Sequence, residues 1–273
     1  MTKSYETILV EDRSKTRWIT LNRIKQRNAF NLPLYRELRE ALLGAEEDEN
    51  IRCVVIRGGG GNFSTGNDLS EALGKSFTHT YKPPRGFITI GNQTCWTIWQ
   101  LKKPVIAAVE GYCLGGGFEL AMTCDFVIAD ADAKLGEPEI RFADAPPWLI
   151  SPWIMGLRQA KHILLTGDVI SAEKAMSYGA LTEVAPKGEL EKVVTKLATK
   201  MEAFQPETWH YNKTTVNRVY EIMGFHAAIE LGVDMFATIK TTANPLKQEL
   251  TERINSEGFS AAIKWAQARF PKD

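Results

Sequence analysis

Residues 104–129 constrain the fold more than any other part of the chain. Val105–Val109 is a continuous apolar stretch of strand length, Gly115-Gly-Gly117 breaks it, Phe118 to Cys124 is a short apolar segment of helical length, and 126–129 is a second strand-like run. A strand, a glycine turn, an apolar helix and another strand, with almost no polar face among them, belong inside a layered α/β core whose strands are covered on both sides. Glu119 is the exception, a carboxyl in an apolar segment. A second carboxyl, Glu139, follows in the turn Leu135-Gly-Glu-Pro-Glu-Ile140. Two carboxyls aimed into one apolar pocket cannot both ionise cheaply, so one keeps a proton while the other is charged; a single residue type then supplies an acid and a base. Taken singly, Glu119 also fits a first-turn helix residue favoured by the dipole, and Glu139 a solvated loop residue.

The flanking sequence extends the α/β pattern. Residues 7–10, 17–21 and 53–56 read as strands, and between them Leu34, Leu38, Ala41, Leu42 and Ala45 recur at helical spacing. Phe87, Ile90, Gly91, Thr94, Ile98 and Leu101 recur in the same way ahead of the strand at 105–109. After residues 182–185 the chain is helical. Leu190, Val193, Val194, Leu197 and Met201 mark one helix, Ala227, Leu231, Val233 and Phe236 another, and Ala261, Ala262, Trp265 and Phe270 a third. This divides the chain into a core over 1–200 and a helical region over 201–273, too small and too amphipathic to stand alone. It is expected to pack on the core or on another subunit.

The 273 residues carry 33 basic and 33 acidic side chains, a formal charge of zero that leaves no electrostatic footprint for nucleic acid or an anionic membrane. An anionic ligand must meet a local patch. Cys53, Cys95, Cys113 and Cys124 are scattered, three of them in or beside apolar runs, with no CxxC pair and no Cys/His cluster, so neither zinc nor a disulfide framework is expected. Free thiols, with no leader-like or membrane-spanning run, point to the cytoplasm. The four histidines have no partner pattern, and most of them read as surface residues.

Two glycine turns follow two strands. Gly115-Gly-Gly117 opens a helix, where backbone N–H groups are orphaned and the dipole is positive; it lacks the lysine of a P-loop and the frame of a dinucleotide fingerprint. Gly58 to Leu69 exposes further N–H groups near Gly66, Asn67 and Asp68. The pair can form the two halves of an oxyanion hole, although an isolated glycine triplet is also what a tight turn requires.

With these turns in view the chain resembles the crotonase, or enoyl-CoA hydratase/isomerase, superfamily. The resemblance runs through Leu21-Asn-Arg23, Arg27-Asn-Ala-Phe-Asn31, Phe63-Ser-Thr-Gly-Asn-Asp-Leu69, the block from Lys103 to Leu120, Gly136-Glu-Pro-Glu-Ile140, Leu165-Thr-Gly-Asp168 and the region from Glu257 to Phe270. It implies a spiral core of ββα units with a helical C-terminal trimerisation region, assembled as a trimer or a dimer of trimers. An acyl-CoA is the implied substrate, carrying the coenzyme A itself, with no separate cofactor or metal. The N–H groups of Asn67 and Gly116 would hold the thioester oxygen. Glu119 would take a proton from the water that adds at C3, and Glu139 would exchange the proton at C2. Asp68, Leu69, Pro147 and Trp148 fall at the acyl end, with Asp68 also fitting a turn and cap residue. Arg23, Lys25, Arg27 and Ala29 fall where the family meets the CoA nucleotide, a charge run that also fits a solvated edge.

The resemblance implies reversible hydration of a 2-enoyl-CoA to a 3-hydroxyacyl-CoA. A double-bond isomerase, a CoA-ester or C–C hydrolase, and a non-catalytic binding protein are the alternatives on the same fold. The chain departs from the family after Ile140. Ala145-Pro-Pro-Trp-Leu-Ile-Ser-Pro-Trp153 replaces a glycine-rich segment, and Pro147 offers no N–H where the hydratases use one to hold the water. Trp148 and Trp153 fit either a filled core or trimer interface, or an acyl pocket for a cyclic or branched chain. Residues 74–86, with Phe77, His79 and Tyr81, read as a flap, and Asp144 as a surface loop residue or else a third carboxylate near the pair.

Overall fold

The structure, a computed structural model, describes residues 4–68 and 85–270. Its larger sheet orders β1 (Ile8–Arg13), β2 (Thr16–Leu21), β3 (Cys53–Gly58), β4 (Val105–Val109), β6 (Phe126–Asp130) and β9 (Glu183–Ala185), with only the first pair antiparallel. A smaller sheet holds β5 (Tyr112–Leu114), β7 (Lys134–Gly136) and β8 (Ile170–Ser171). Two of the long strands are each followed by a short one that leaves for the other sheet, β4 by β5 and β6 by β7. The isolated bridges Ser64 to Cys113 and Phe30 to Asn67 continue the small sheet back to the earlier turns. Helices complete the turns, which is the spiral of ββα units that the resemblance implied.

Period-two alternation explains why the long strands are apolar throughout. Val54, Ile56, Val105, Ala107 and Val109 face a core shared with α1 (Leu32–Glu47), α2 (Arg85–Gln100) and α3 (Gly116–Thr123). Cys53, Val55, Ile106 and Ala108 face the opposite way, onto Val194 and Ala198 of α7 (Leu190–Ala203). Helix α1 starts where Asn31 caps it, its side chain accepting from the Leu34 N–H at 3.0 Å.

Between the sheets and the C-terminal region lie α4 (Ser151–Ile154), α5 (Leu157–Thr166) and α6 (Ala172–Ser177). Then follow α8 (Pro206–Ile222), α9 (Phe225–Thr241), α10 (Pro245–Glu257) and α11 (Phe259–Ala268). Helix α8 has no buried residue and is held by polar contacts: Lys213 Nζ donates to Asp125 at 2.7 Å and to the carbonyls of Ile98 and Lys103 at 3.1 and 3.2 Å. In α9 the buried face is Phe225, Ile229, Gly232 and Phe236, not the stripe through Leu231, which is 56% exposed. The stripe read from the sequence is rotated because Phe225 joins an aromatic cluster at the helix start. All four cysteines are free and buried.

Candidate active site

Helix α3 is buried at every position, and its first turn carries Glu119, 3% exposed. Gly115 precedes it with φ +52°, and a Cβ there would collide with Oε1 of Glu139. The glycine is therefore required twice, by its backbone and by the carboxyl lying over it. Glu139 is the second residue of a 3-10 turn (Pro138–Phe142), and its Oε2 is sealed from solvent with no partner among the described residues. The two carboxyls thus flank the turn that starts α3.

The glycine turn from Gly58 to Asp68 arrives on the other side. Phe30 N–H donates to the Gly66 carbonyl and Asp68 N–H to the Phe30 carbonyl, both at 2.8 Å, which leaves the intervening Asn67 N–H directed away from that ladder. Neither it nor the Gly116 N–H, an orphan of the helix start, meets an acceptor among the described residues. The Asn67 amide lies over Gly116, where a Cβ would come within 2.9 Å of Oδ1. Tyr35, from α1, donates its phenol to that Oδ1 at 2.8 Å and fixes the amide. Tyr35, Asn67, Gly116, Glu119, Pro147 and Trp148 line one cavity.

Electrostatically this is an acid-rich, dry site. Burial, then the charges of Glu137 and Glu139, push the Glu119 carboxyl well above the ordinary carboxylate range, while a backbone N–H from Trp148 opposes the shift. That N–H donates to Glu119 Oε1 at 2.7 Å. Burial pushes Glu139 up to about 7, with Asp144 adding to the rise and Lys240 opposing it. Tyr35 is also raised, by burial first and by Cys95, Glu119 and Glu139 after it.

Several expectations change here. Pro147 lacks an N–H, yet the residue after it supplies one, directed at Glu119 itself. Trp148 both lines the cavity and fills the core, edge-on to Trp96 at 4.9 Å, whereas Trp153 packs on Phe225 at 5.3 Å. Asp144 is no surface loop residue: it is ion-paired with a buried Lys240 of α9. Among the histidines, exposed His226 stacks on Trp96 and part-buried His162 pairs with Asp168.

Arg23 binds Asp68 at 3.0 Å and the Ala29 carbonyl, so these three residues brace the turn that carries Asn67. Lys25 and Arg27 are exposed, Arg27 over the Tyr112 ring. Leu69 and the expected flap residues Phe77, His79 and Tyr81 lie outside the described residues. Sequence reasoning missed Tyr35, hidden in a regular apolar stripe, and Glu137, whose proximity to Glu139 was its only signal.

The likeness to known proteins is broad. A match to the family described as enoyl-CoA hydratase/isomerase spans residues 12–252. A Rhizobium meliloti protein named probable enoyl-CoA hydratase is 35% identical over 243 residues, 86% of this chain and 91% of that protein. A Syntrophomonas wolfei protein named crotonyl-CoA hydratase is 35% identical over 202 residues, 72% of this chain and 76% of its own length. The crystal structure of an enoyl-CoA hydratase/isomerase from Xanthobacter autotrophicus superposes with a TM-score of 0.94 at 33% identity, covering 98% of this chain and 100% of the other.

Proposed function

The chain belongs to the enoyl-CoA hydratase/isomerase family, and from that membership we propose that it is an enoyl-CoA hydratase working through Glu119 and Glu139. The observation that carries the reading is the pair of carboxyls flanking the Gly115 turn, beside two backbone donors that meet no acceptor among the described residues.

In this reading the thioester oxygen of a 2-enoyl-CoA accepts from the N–H groups of Asn67 and Gly116. Glu119 in its anionic form, whose burial cost the Trp148 N–H offsets only in part, removes a proton from water as the water oxygen bonds to C3. Electrons move onto the thioester oxygen, and the enolate collapses as Glu139 gives a proton to C2. With Glu139 pushed up to about 7, a large fraction holds that proton at neutral pH. Hydrogen-bond donors of this kind are typically worth about 3 to 4 kcal/mol of barrier each.

The coenzyme A tail is assigned to the exposed Lys25 and Arg27 with the Ala29 backbone, Arg23 being committed to Asp68. Pro147 and Trp148 wall the acyl end. The exposed apolar residues of α8, among them Tyr211, Val216, Val219 and Ile222, support assembly as a trimer or a dimer of trimers. Incubation with a panel of enoyl-CoAs in heavy-oxygen water tests the reaction: hydration adds one labelled oxygen to an intact CoA ester. Isomerisation leaves the mass unchanged, and thioester hydrolysis releases a labelled free acid; either result without hydration would overturn the assignment.

A further inference from the structure

One buried acid has no part in the reaction as described. Glu137 is 1% exposed, Ser151 Oγ donates to its Oε1 at 2.5 Å, and its Oε2 is sealed with no hydrogen-bond partner among the described residues. An acid kept only for packing is a poor choice, since an apolar side chain of similar size avoids the cost of burying it. Its setting ties it to the reacting groups. The Gly136 carbonyl accepts from the Gly115 N–H at 2.9 Å, fastening the residue before Glu137 to the turn between the catalytic carboxyls. The 148–151 stretch clamps two acids at once, the Trp148 N–H on Glu119 and the Ser151 hydroxyl on Glu137.

We propose that Glu137 is a positioning residue for the acid/base pair, a third carboxyl sealed beneath residues 148–151 whose charge keeps Glu119 and Glu139 from ionising together. The proposal rests on the hydratase reading of that pair. Among the described residues, the other ionisable groups at the cluster are Asp144 from the following loop, Lys240 from α9, Lys247 from α10 beside that pair, Tyr35 from α1 and Cys95 from α2. Lys240 is bound to Asp144 and Lys247 lies by the same pair, so four carboxyls face two cations there. Burial, then the charge of Glu139, raises Glu137 well above the ordinary range, with the Ser151 hydroxyl opposing. Activity is lost at high pH when both members of the pair are ionised, and a third negative charge beside them delays that event.

Glu137→Gln keeps an acceptor for Ser151 and removes the charge. The alkaline limb of kcat/KM should move to lower pH by about one unit, the separation at which neighbouring sites titrate as a coupled set, with KM changed less than twofold. A profile superimposed on that of the unmodified protein would overturn the proposal. So would a Ser151→Ala variant that moves the limb while Glu137→Gln does not, because the hydrogen bond rather than the charge would then be responsible. Infrared titration of the buried carboxyl C=O bands reads the same coupling without turnover. The unmodified protein should release three buried protons in separate steps, the last above neutrality, and Glu137→Gln two at lower pH. Two steps in the unmodified protein, or all three carboxyls ionised at neutral pH, would overturn the proposal even if the variant does not fold. Because the bands do not depend on the reaction, failure of hydration alone would count against the function and leave this measurement to decide on Glu137.

Discussion

Glu119 and Glu139 carry the most direct tests. Glu119→Gln and Glu139→Gln should each lower kcat by about 10² to 10⁴, the contribution of one positioned acid or base, while acyl-CoA binding by calorimetry stays nearly intact; binding lost in step with turnover would make them structural. Glu139 also makes a stability prediction. Its carboxyl ordinarily titrates at 4.5 and in the folded protein at about 7. Below 4.5 both states hold the proton, and between 4.5 and 7 the unfolded chain releases it while the folded one keeps it, so stability falls as pH rises through that window. Glu139→Gln removes the penalty, and denaturant titrations should find it about 3 kcal/mol more stable relative to the unmodified protein above neutrality than in acid. The two glutamates were legible because glycine and proline turns announce them. Tyr35 was not, since its phenol reaches Asn67 across 32 positions and its spacing matches the apolar stripe of α1.

At the scale of elements, periodicity was informative where elements are long. Strands β3, β4 and β6 show as apolar runs because both faces are covered, whereas β5, β7 and β8, two or three residues each, are too short to carry a period. Helix α8 was invisible for a different reason: with no buried residue it has no core stripe, and a charge anchors it instead. Lys213 is 9% exposed and Asp125, which also accepts from the Val105 N–H at 2.8 Å, is its part-buried partner at 19%. Lys213→Met should therefore destabilise the protein by about 1 to 3 kcal/mol, between the cost of losing a surface pair and that of stranding a fully buried one. Lys213→Met combined with Asp125→Asn should recover part of that loss in thermal melts; no recovery would mean that the lysine acts through its stem. The turn before α3 makes a sharper case. Gly115→Ala strains a left-handed backbone and displaces Glu139, so activity should fall at least a hundredfold, by the same acid/base measure, in whatever fraction remains folded.

The whole molecule leaves Ile222 79% and Tyr211 68% exposed on one helix, a cost that a partner surface would remove. Light scattering at micromolar concentration should report a trimer or a multiple of three, and a clean monomer would sink the assembly. Across the same region, Lys240 links α9 to the loop beside Glu139. Losses in the C-terminal helices should therefore appear in the pH profile as well as in stability.

The four cysteines have a practical consequence. Each is buried and has its thiol pushed upward by burial, and Cys113 lies under the glycine turn with its sulfur 3.6 Å from the Gly117 carbonyl. The folded protein should consequently resist alkylation, and the rate at which iodoacetamide consumes its thiols becomes a clock for opening of the core. A cysteine introduced at exposed Leu157, away from the α8 surface, would then be the fast-reacting thiol on the chain, a labelling point that leaves every native sulfur in place.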